Sequence, residues 1–295
     1  MRIAITTPTG NIGRSLTKRL LDQGGHDLIL LARSPDKLKQ EQPRGAKVAQ
    51  GDLEDAVYVK KATQGADAFF FLCPPNFGVP DYRAYYGELA KAGADAVKAN
   101  TIKHTVLLSS VGAHLPEGMG PILGLHDAEK IFVQATQGLT ILRPGWFMEN
   151  YFWQLEPIKH MNSIFVPLSG DVTAPMIATT DIAERAARVI TGPAASQPKI
   201  VSLHGPKDYS MDECAKIISQ GIGKEVRHVQ ITSEQAKVSF LGMGATEGVA
   251  EAMLEMYAAF QAGKLKDEVP RSPDTTTPTT FETFVKDVLA PVLRG

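Results

Sequence analysis

The chain has 295 residues, 43% hydrophobic and 21% charged, with a formal net charge of -1. This is an ordinary globular composition, long enough to bury a large core, and it offers no general attraction to nucleic acid or to an anionic membrane. The two cysteines, Cys73 and Cys214, lie too far apart for a metal-ligand motif and are too few for a disulfide scaffold, which fits a reducing compartment and a protein without a structural metal.

The chain enters strand-like sequence at RIAIT (2–6) with no basic segment leading an apolar stretch, and its longest apolar run, AFFFLC (68–73), is too short to cross a bilayer. A cytoplasmic protein is expected. Further apolar runs follow at DLILLA (27–32), AKVAQ (46–50), DAFFFLC (67–73), KHTVLLSS (103–110), LTILRP (139–144) and KIVSLHG (199–205). They are apolar at successive positions, as in strands buried on both faces of a parallel sheet. Between them the period is helical. Ile12, Leu16 and Leu20 recur at i, i+4 and i+8 before Gly24-Gly25, and TTDIAERAARVI (179–190) places Ile182, Ala186 and Ile190 on one face, with Asp181 as its expected cap. This alternation predicts an α/β fold, a Rossmann-type doubly wound parallel sheet.

After about residue 150 the rhythm loosens. Residues 151–176 carry few regular signals, and 207–295 are mainly helical, with the polar loop SPDTTTPTT (272–280) before a final helix, FETFVKDVLAPVL. The expected plan is a nucleotide-binding core over 1–150, completed by 177–205, with a smaller, mostly helical lobe from 151–176 and 206–295. A cleft between the two is the expected substrate site.

The turn after the first strand, Thr7-Pro8-Thr9-Gly10-Asn11-Ile12-Gly13, keeps two glycines of a dinucleotide-binding fingerprint. Gly10 and Gly13 hold the second and third spacings, and Thr7 stands where the first glycine belongs. Gly10 allows close approach of a phosphate, the helix opening at Asn11 and Ile12 presents free N–H groups, and the Thr7 and Thr9 hydroxyls add donors. Thr7 also raises a question about the turn, because a residue with a Cβ avoids positive φ. A turn that binds nothing needs no such position between first strand and first helix. At the end of the second strand, where an NAD site carries an acidic residue, the chain reads Ala32-Arg33-Ser34, with Lys37 further on. Arg33, Ser34 and Lys37 suit a 2′-phosphate, so NADP(H) is expected over NAD(H), although Asp36 and the alternative of a solvated basic loop weigh against it.

Several stretches, namely TPTGNIGRSL, ARSPDKL, GDLED, LLSSVGA, HDAEKIFVQATQGLTILRPGWFMEN and TTDIAERAARVI, resemble in order and spacing the NmrA-like group of atypical short-chain dehydrogenases/reductases. Through GWFMEN the likeness leans to its NADPH quinone oxidoreductase and azoreductase-like members. The resemblance covers nearly the whole chain. It implies that Asp52 and Leu53 line the adenine, that Cys73, Pro74, Pro75 and Asn76 pass the nicotinamide ribose, and that Ser109 and Ser110 end the fifth strand near the nicotinamide.

None of the seven tyrosines has a lysine four residues later, so the Tyr-Lys proton donor of short-chain reductases is missing. The corresponding segment carries His126, Glu129 and Lys130. His126 and Lys130 keep the spacing of that pair and are the candidate catalytic residues, with capping, packing or cofactor positioning as the other role open to them. Without the tyrosine, a reductase is expected to favour acceptors that need little protonic help, such as quinones, azo compounds or imines. RPGWFMENYFWQ (143–154) holds both tryptophans, and Trp146, Phe147, Asn150 and Tyr151 form the expected acceptor pocket with Tyr85, flanked by Tyr82 and Tyr86. The same aromatics would also serve to seal core against lobe. The glycine-rich GAHLPEGMGPILGLH (112–126) reads as a flap. The leading expectation is a reductase of a small planar molecule, acting as a monomer or homodimer. Its rival is a non-catalytic NADP(H) sensor that changes its contacts with a regulatory protein. Direct DNA binding is not expected.

Overall fold

In the computed structural model, which describes residues 1–265 and 269–294, the strands are β1 (Arg2–Thr6), β2 (Asp27–Ala32), β3 (Lys47–Gln50), β4 (Ala68–Phe71), β5 (His104–Leu108), β6 (Leu139–Pro144), β7 (Trp146–Phe147), β8 (Ser163–Val166), β9 (Thr173–Ile177), β10 (Lys199–Leu203), β11 (Asp208–Ser210) and β12 (Arg227–Gln230). The helices are α1 (Asn11–Gln23), α2 (Ala56–Ala62), α3 (Tyr82–Asn100), α4 (Ile122–Val133), α5 (Leu155–Met161), α6 (Thr179–Thr191), α7 (Met211–Ile222), α8 (Ser233–Gly242), α9 (Glu247–Gln261) and α10 (Phe281–Phe284), which runs on as helix to Arg294. Of the expected lobe, residues 266–268 and 295 lie outside the described residues.

Seven strands form one parallel sheet in the order β10-β6-β5-β4-β1-β2-β3. The apolar runs are continuous because both faces are covered. On β4, Phe70 packs with Ile3, Ile5 and Leu16 against α1 and α6, whereas Phe69 and Phe71 face α3 and α4 with Leu89 and Phe132. The Phe71 and Phe132 rings are 5.0 Å apart. Each such fully buried side chain is worth about 1.5–3 kcal/mol of burial. The second core continues without a break through Met148 and Met176 to Ile218, Phe260 and Phe284, so the C-terminal elements share one apolar interior with the sheet. Among the described residues no helix is long and apolar enough to cross a membrane.

The loosely patterned 151–176 holds α5, β8 and β9, whose partners β12, β11 and β7 lie elsewhere in the chain. Asp181 is not the cap of α6. Glu149 takes that role, accepting the Thr179 N–H at 3.0 Å and its hydroxyl at 2.5 Å. Asp181 instead accepts the N–H and hydroxyl of Thr279, at 3.0 and 2.8 Å, and so ties the Thr/Pro loop onto α6. The end of the glycine-rich stretch, from Ile122, is the first turn of α4.

Candidate active site

The strand order reverses between β1 and β4, and in an open α/β sheet the crevice beyond the carboxyl ends at that point is where ligands bind. Thr6, at the end of β1, is fully buried and clamps the two strands. It accepts the Leu72 N–H at 2.8 Å and donates to the Leu72 carbonyl at 3.2 Å.

The turn that follows resolves the question raised by Thr7. Its φ is 51°, so the threonine adopts the left-handed conformation that the missing glycine takes without strain, and the tight turn is kept. The Gly10 N–H donates to the Thr7 carbonyl at 3.1 Å, and the first intrahelical bond runs from Arg14 N–H to the Gly10 carbonyl at 2.8 Å. The amides of Asn11, Ile12 and Gly13 precede that bond, and Gly10, as N-cap, has no side chain to serve them. A Cβ on Gly13 would stand 2.1 Å from the Thr7 carbonyl oxygen, so glycine is what lets α1 seat against the turn. A Cβ on Gly10 meets nothing closer than 3.6 Å; the space over it is open. The Thr7 hydroxyl is buried without a hydrogen-bond partner. Free helix-terminal amides, an open Gly10 and an orphaned hydroxyl together fit an anionic phosphate.

This turn lies in a cleft of about 560 Å³. Its wall includes Thr7, Thr9, Gly10, Asn11, Ile12 and Gly13, then Arg33 after β2, Asp52 and Leu53 after β3, Cys73, Pro74 and Pro75 after β4, and Ser109 and Ser110 after β5. Tyr85, Trp146, Phe147 and Asn150 line it as well. Arg33 Nη1 lies 3.9 Å from Asp52 Oδ2, with the side chains 74% and 46% exposed. An exposed pair at that distance is worth about 0–1 kcal/mol, so Arg33 is not locked away from another anion. Burial pushes the Cys73 thiol up to about 12, which leaves it protonated and unreactive. It likewise pushes Tyr82 and Tyr85 up to about 12 and Tyr86 well above the phenol range, so this group of touching rings stays neutral.

Other expected site residues lie elsewhere. His126 and Lys130 do not line the cleft. His126 is buried on α4 and its Nδ1–H donates to the Ala113 carbonyl at 2.7 Å, which fastens the preceding loop to the helix. Lys130, one turn on, is exposed to solvent. Ile122 and Leu125 of that helix line the cleft, and Glu129 meets it from behind, through Ser109. Its carboxylate, buried with Arg143, accepts from Arg143 Nε at 2.9 Å and Nη2 at 2.6 Å, and from the Ser109 hydroxyl at 2.5 Å. Ser109 therefore lends the cleft its backbone and its Cβ, while its proton points to Glu129. Tyr151 is also displaced. It is buried away from the cleft with its ring 5.0 Å from Phe281, because the three-residue period of the 3₁₀ turn at 148–154 turns Asn150 and Trp153 to the cleft and Met148 and Tyr151 to the interior. Ser34 and Lys37 are exposed and outside the lining, and Asn76 uses its side-chain oxygen to accept the Gly78 N–H at 3.0 Å.

Sequence reasoning missed the wall supplied by α9. Met253, Met256, Tyr257 and Phe260 line the cleft, and Trp146 packs edge-on against Phe260 and Tyr257, with centroids 4.9 and 6.0 Å apart. Their i, i+3, i+4, i+7 spacing was the available signal, but it is also the pattern of a core helix.

The chain is 32% identical over 275 residues to the NAD(P)H azoreductase of Xenophilus azovorans, covering 91% of this chain and 92% of that one. Its fold superposes on the crystal structure of the NADPH-dependent quinone oxidoreductase of Escherichia coli in complex with NADPH, with a TM-score of 0.82 at 21% identity over 97% and 99% of the chains. It also superposes on the triphenylmethane reductase of Citrobacter sp., with a TM-score of 0.81 at 22% identity over 98% and 99%. The model of the NmrA-like family matches residues 1–285, and with a match of that extent the chain belongs to the NmrA-like family.

Proposed function

We propose that the protein is an NADPH-dependent reductase that delivers a hydride to a small, electron-poor, planar acceptor such as a quinone, an azo compound or an imine. The observation that carries this reading is a single cleft that joins a phosphate-binding turn, through the ends of β4 and β5, to an aromatic wall built from Trp146, Phe147, Tyr257 and Phe260. The azo, quinone and dye reductases to which the chain is similar support the reaction class. Nothing in the site favours a non-catalytic sensor, which has no need of a second, aromatic compartment.

In this scheme the N–H groups of Asn11, Ile12 and Gly13 and the hydroxyls of Thr7 and Thr9 hold the pyrophosphate. Arg33 holds the 2′-phosphate, for which Ala32 leaves room at the position where an NAD site carries an acidic residue, and this selects NADP(H) over NAD(H). Asp52 and Leu53 flank the adenine. Cys73, Pro74 and Pro75 bound the ribose, and Ser110 with the Ser109 backbone floors the nicotinamide. The bound cofactor supplies the hydride. The protein's share is to orient the acceptor ring against its aromatic wall and to present neutral phenols, Tyr82, Tyr85 and Tyr86, as hydrogen-bond donors. The site is complete within one chain, so a monomer or a homodimer serves equally, and a cytoplasmic setting supplies the cofactor.

The test is NADPH binding and consumption by wild type and Gly10→Val, with quinone, azo and cyclic imine acceptors. Wild type is expected to bind NADPH and consume many equivalents with at least one acceptor class, and the variant to do neither. Firm binding with no consumption across the three classes overturns the reductase reading. Unimpaired binding by the variant overturns the cradle.

A further inference from the structure

We infer that the acceptor end of the cleft is a filter against anions, so that the substrate is an aromatic acceptor without anionic groups and its sulfonated or carboxylated counterparts are rejected. This rests on the reductase reading and narrows it. Among the described residues the cleft wall contains two side chains that carry charge, Arg33 and Asp52. They follow β2 and β3. The acceptor wall follows β5 and β6 and is closed by α9. From β2 to β6 the sheet crosses four strand spacings, roughly 19 Å. That is more than twice the screening length at physiological ionic strength, about 8 Å, so Arg33 gives an anion at the far end no effective compensation.

What lines that end is apolar or neutral. Trp146, Tyr257 and Phe260 stand edge to face, and Met253 and Met256 add polarizable sulfur. Trp146 is 9% exposed, and its indole N–H has no hydrogen-bond partner. A buried donor without an acceptor is costly, and a small rotation of this ring, which lines the cleft, would offer the N–H to a quinone carbonyl oxygen or an azo nitrogen, both neutral acceptors. A sulfonate or carboxylate brought to the same place loses its hydration and meets no cation among the described lining residues, which disfavours its binding by a large factor.

The experiment compares 1,4-naphthoquinone with 1,4-naphthoquinone-2-sulfonate, using the full chain at saturating NADPH. The sulfonate withdraws electrons, so chemistry alone favours the charged acceptor and any preference against it comes from binding. Steady-state rates are measured together with quenching of tryptophan fluorescence as a turnover-independent record of binding. The expected result is a kcat/KM for the neutral quinone on the order of 100-fold higher, expressed mainly in KM, with weaker quenching by the sulfonate. Met256→Lys, which places an ammonium on the same wall, is expected to narrow the ratio by about tenfold. Comparable kcat/KM and quenching for the two acceptors in wild type, or a ratio unmoved by Met256→Lys, overturns the filter while leaving the reductase reading in place. If neither quinone is reduced, the quenching separates the two ideas. Preferential binding of the neutral quinone keeps the filter and removes quinones as the acceptor class, and equal binding removes the filter as well.

Discussion

Arg33→Ala tests cofactor selection at a single side chain. Arg33 is 74% exposed and its nearest acidic partner, Asp52, is 3.9 Å away, so removing it neither leaves a buried group stranded nor breaks a strong pair. The fold is expected to lose less than about 0.5 kcal/mol, the usual range for such surface changes. What is lost is one charge-assisted contact to a 2′-phosphate. Contacts of that kind are worth about 1.5–3 kcal/mol, and at a solvent-facing rim about 1.5–2 kcal/mol applies, which is roughly 10–30-fold in Kd. The expectation is a 10–30-fold weaker NADPH complex with NADH changed less than about twofold. Titration of the intrinsic fluorescence with each nucleotide measures both constants, and added salt should weaken NADPH for wild type more than for the variant. Asp52→Asn removes the carboxylate beside Arg33 and should tighten NADPH slightly. Equal losses for NADPH and NADH refute the assignment of Arg33 to the 2′-phosphate.

Three other perturbations probe the structure behind the site. Gly13→Ala puts a Cβ 2.1 Å from the Thr7 carbonyl oxygen, an overpacking expected to cost about 1–3 kcal/mol in urea unfolding and to weaken NADPH; Gly10→Ala, with 3.6 Å of clearance, should fold normally and weaken NADPH alone. Glu129→Leu removes the carboxylate that accepts from Arg143 and from the Ser109 hydroxyl, for an expected loss of about 1.5–3 kcal/mol, and adding Arg143→Met should restore part of it; a double variant no better than the single one contradicts this account of the pair. All seven tyrosines are held above the ordinary phenol pKa, mainly by burial. Phenols ionise more readily in the unfolded chain, so this contribution to stability is intact below about pH 10 and is lost as pH rises toward 12. Absorbance at about 295 nm should therefore show no phenolate until the protein unfolds in that interval, and a tyrosine titrating near 10 in the folded protein contradicts it.

The sheet was legible because its chemistry is local. Runs such as AFFFLC, apolar on every residue, are required when Phe70 faces one helical layer and Phe69 and Phe71 the other. The phosphate turn was legible for the same reason, since the spacing of Gly10 and Gly13 is set by one strand, one turn and one helix. What the sequence hid is non-local. β8 pairs with β12 and β9 with β7 and β11, partners that no short window contains. The α9 side of the cleft is written as an ordinary core stripe, and its closing of the pocket depends on where the C-terminal segment packs. His126 and Lys130 had the spacing of a catalytic pair, but on α4 the first turns inward to a carbonyl and the second outward to solvent, leaving Glu129 between them to hold Arg143 and Ser109. Spacing along a helix says which residues share a face and not what that face meets.

The central claim is that hydride passes from NADPH to a planar acceptor within this one cleft. The most direct measurement is a stopped-flow single turnover, with NADPH preloaded on the protein in the absence of flavin and mixed with 1,4-naphthoquinone. The absorbance of the reduced nicotinamide is followed for cofactor carrying hydrogen or deuterium at the transferring C4 position. Rapid loss of that absorbance, slower with deuterium, is the predicted result. Persistence of the absorbance, or a decay that deuterium does not slow, contradicts it.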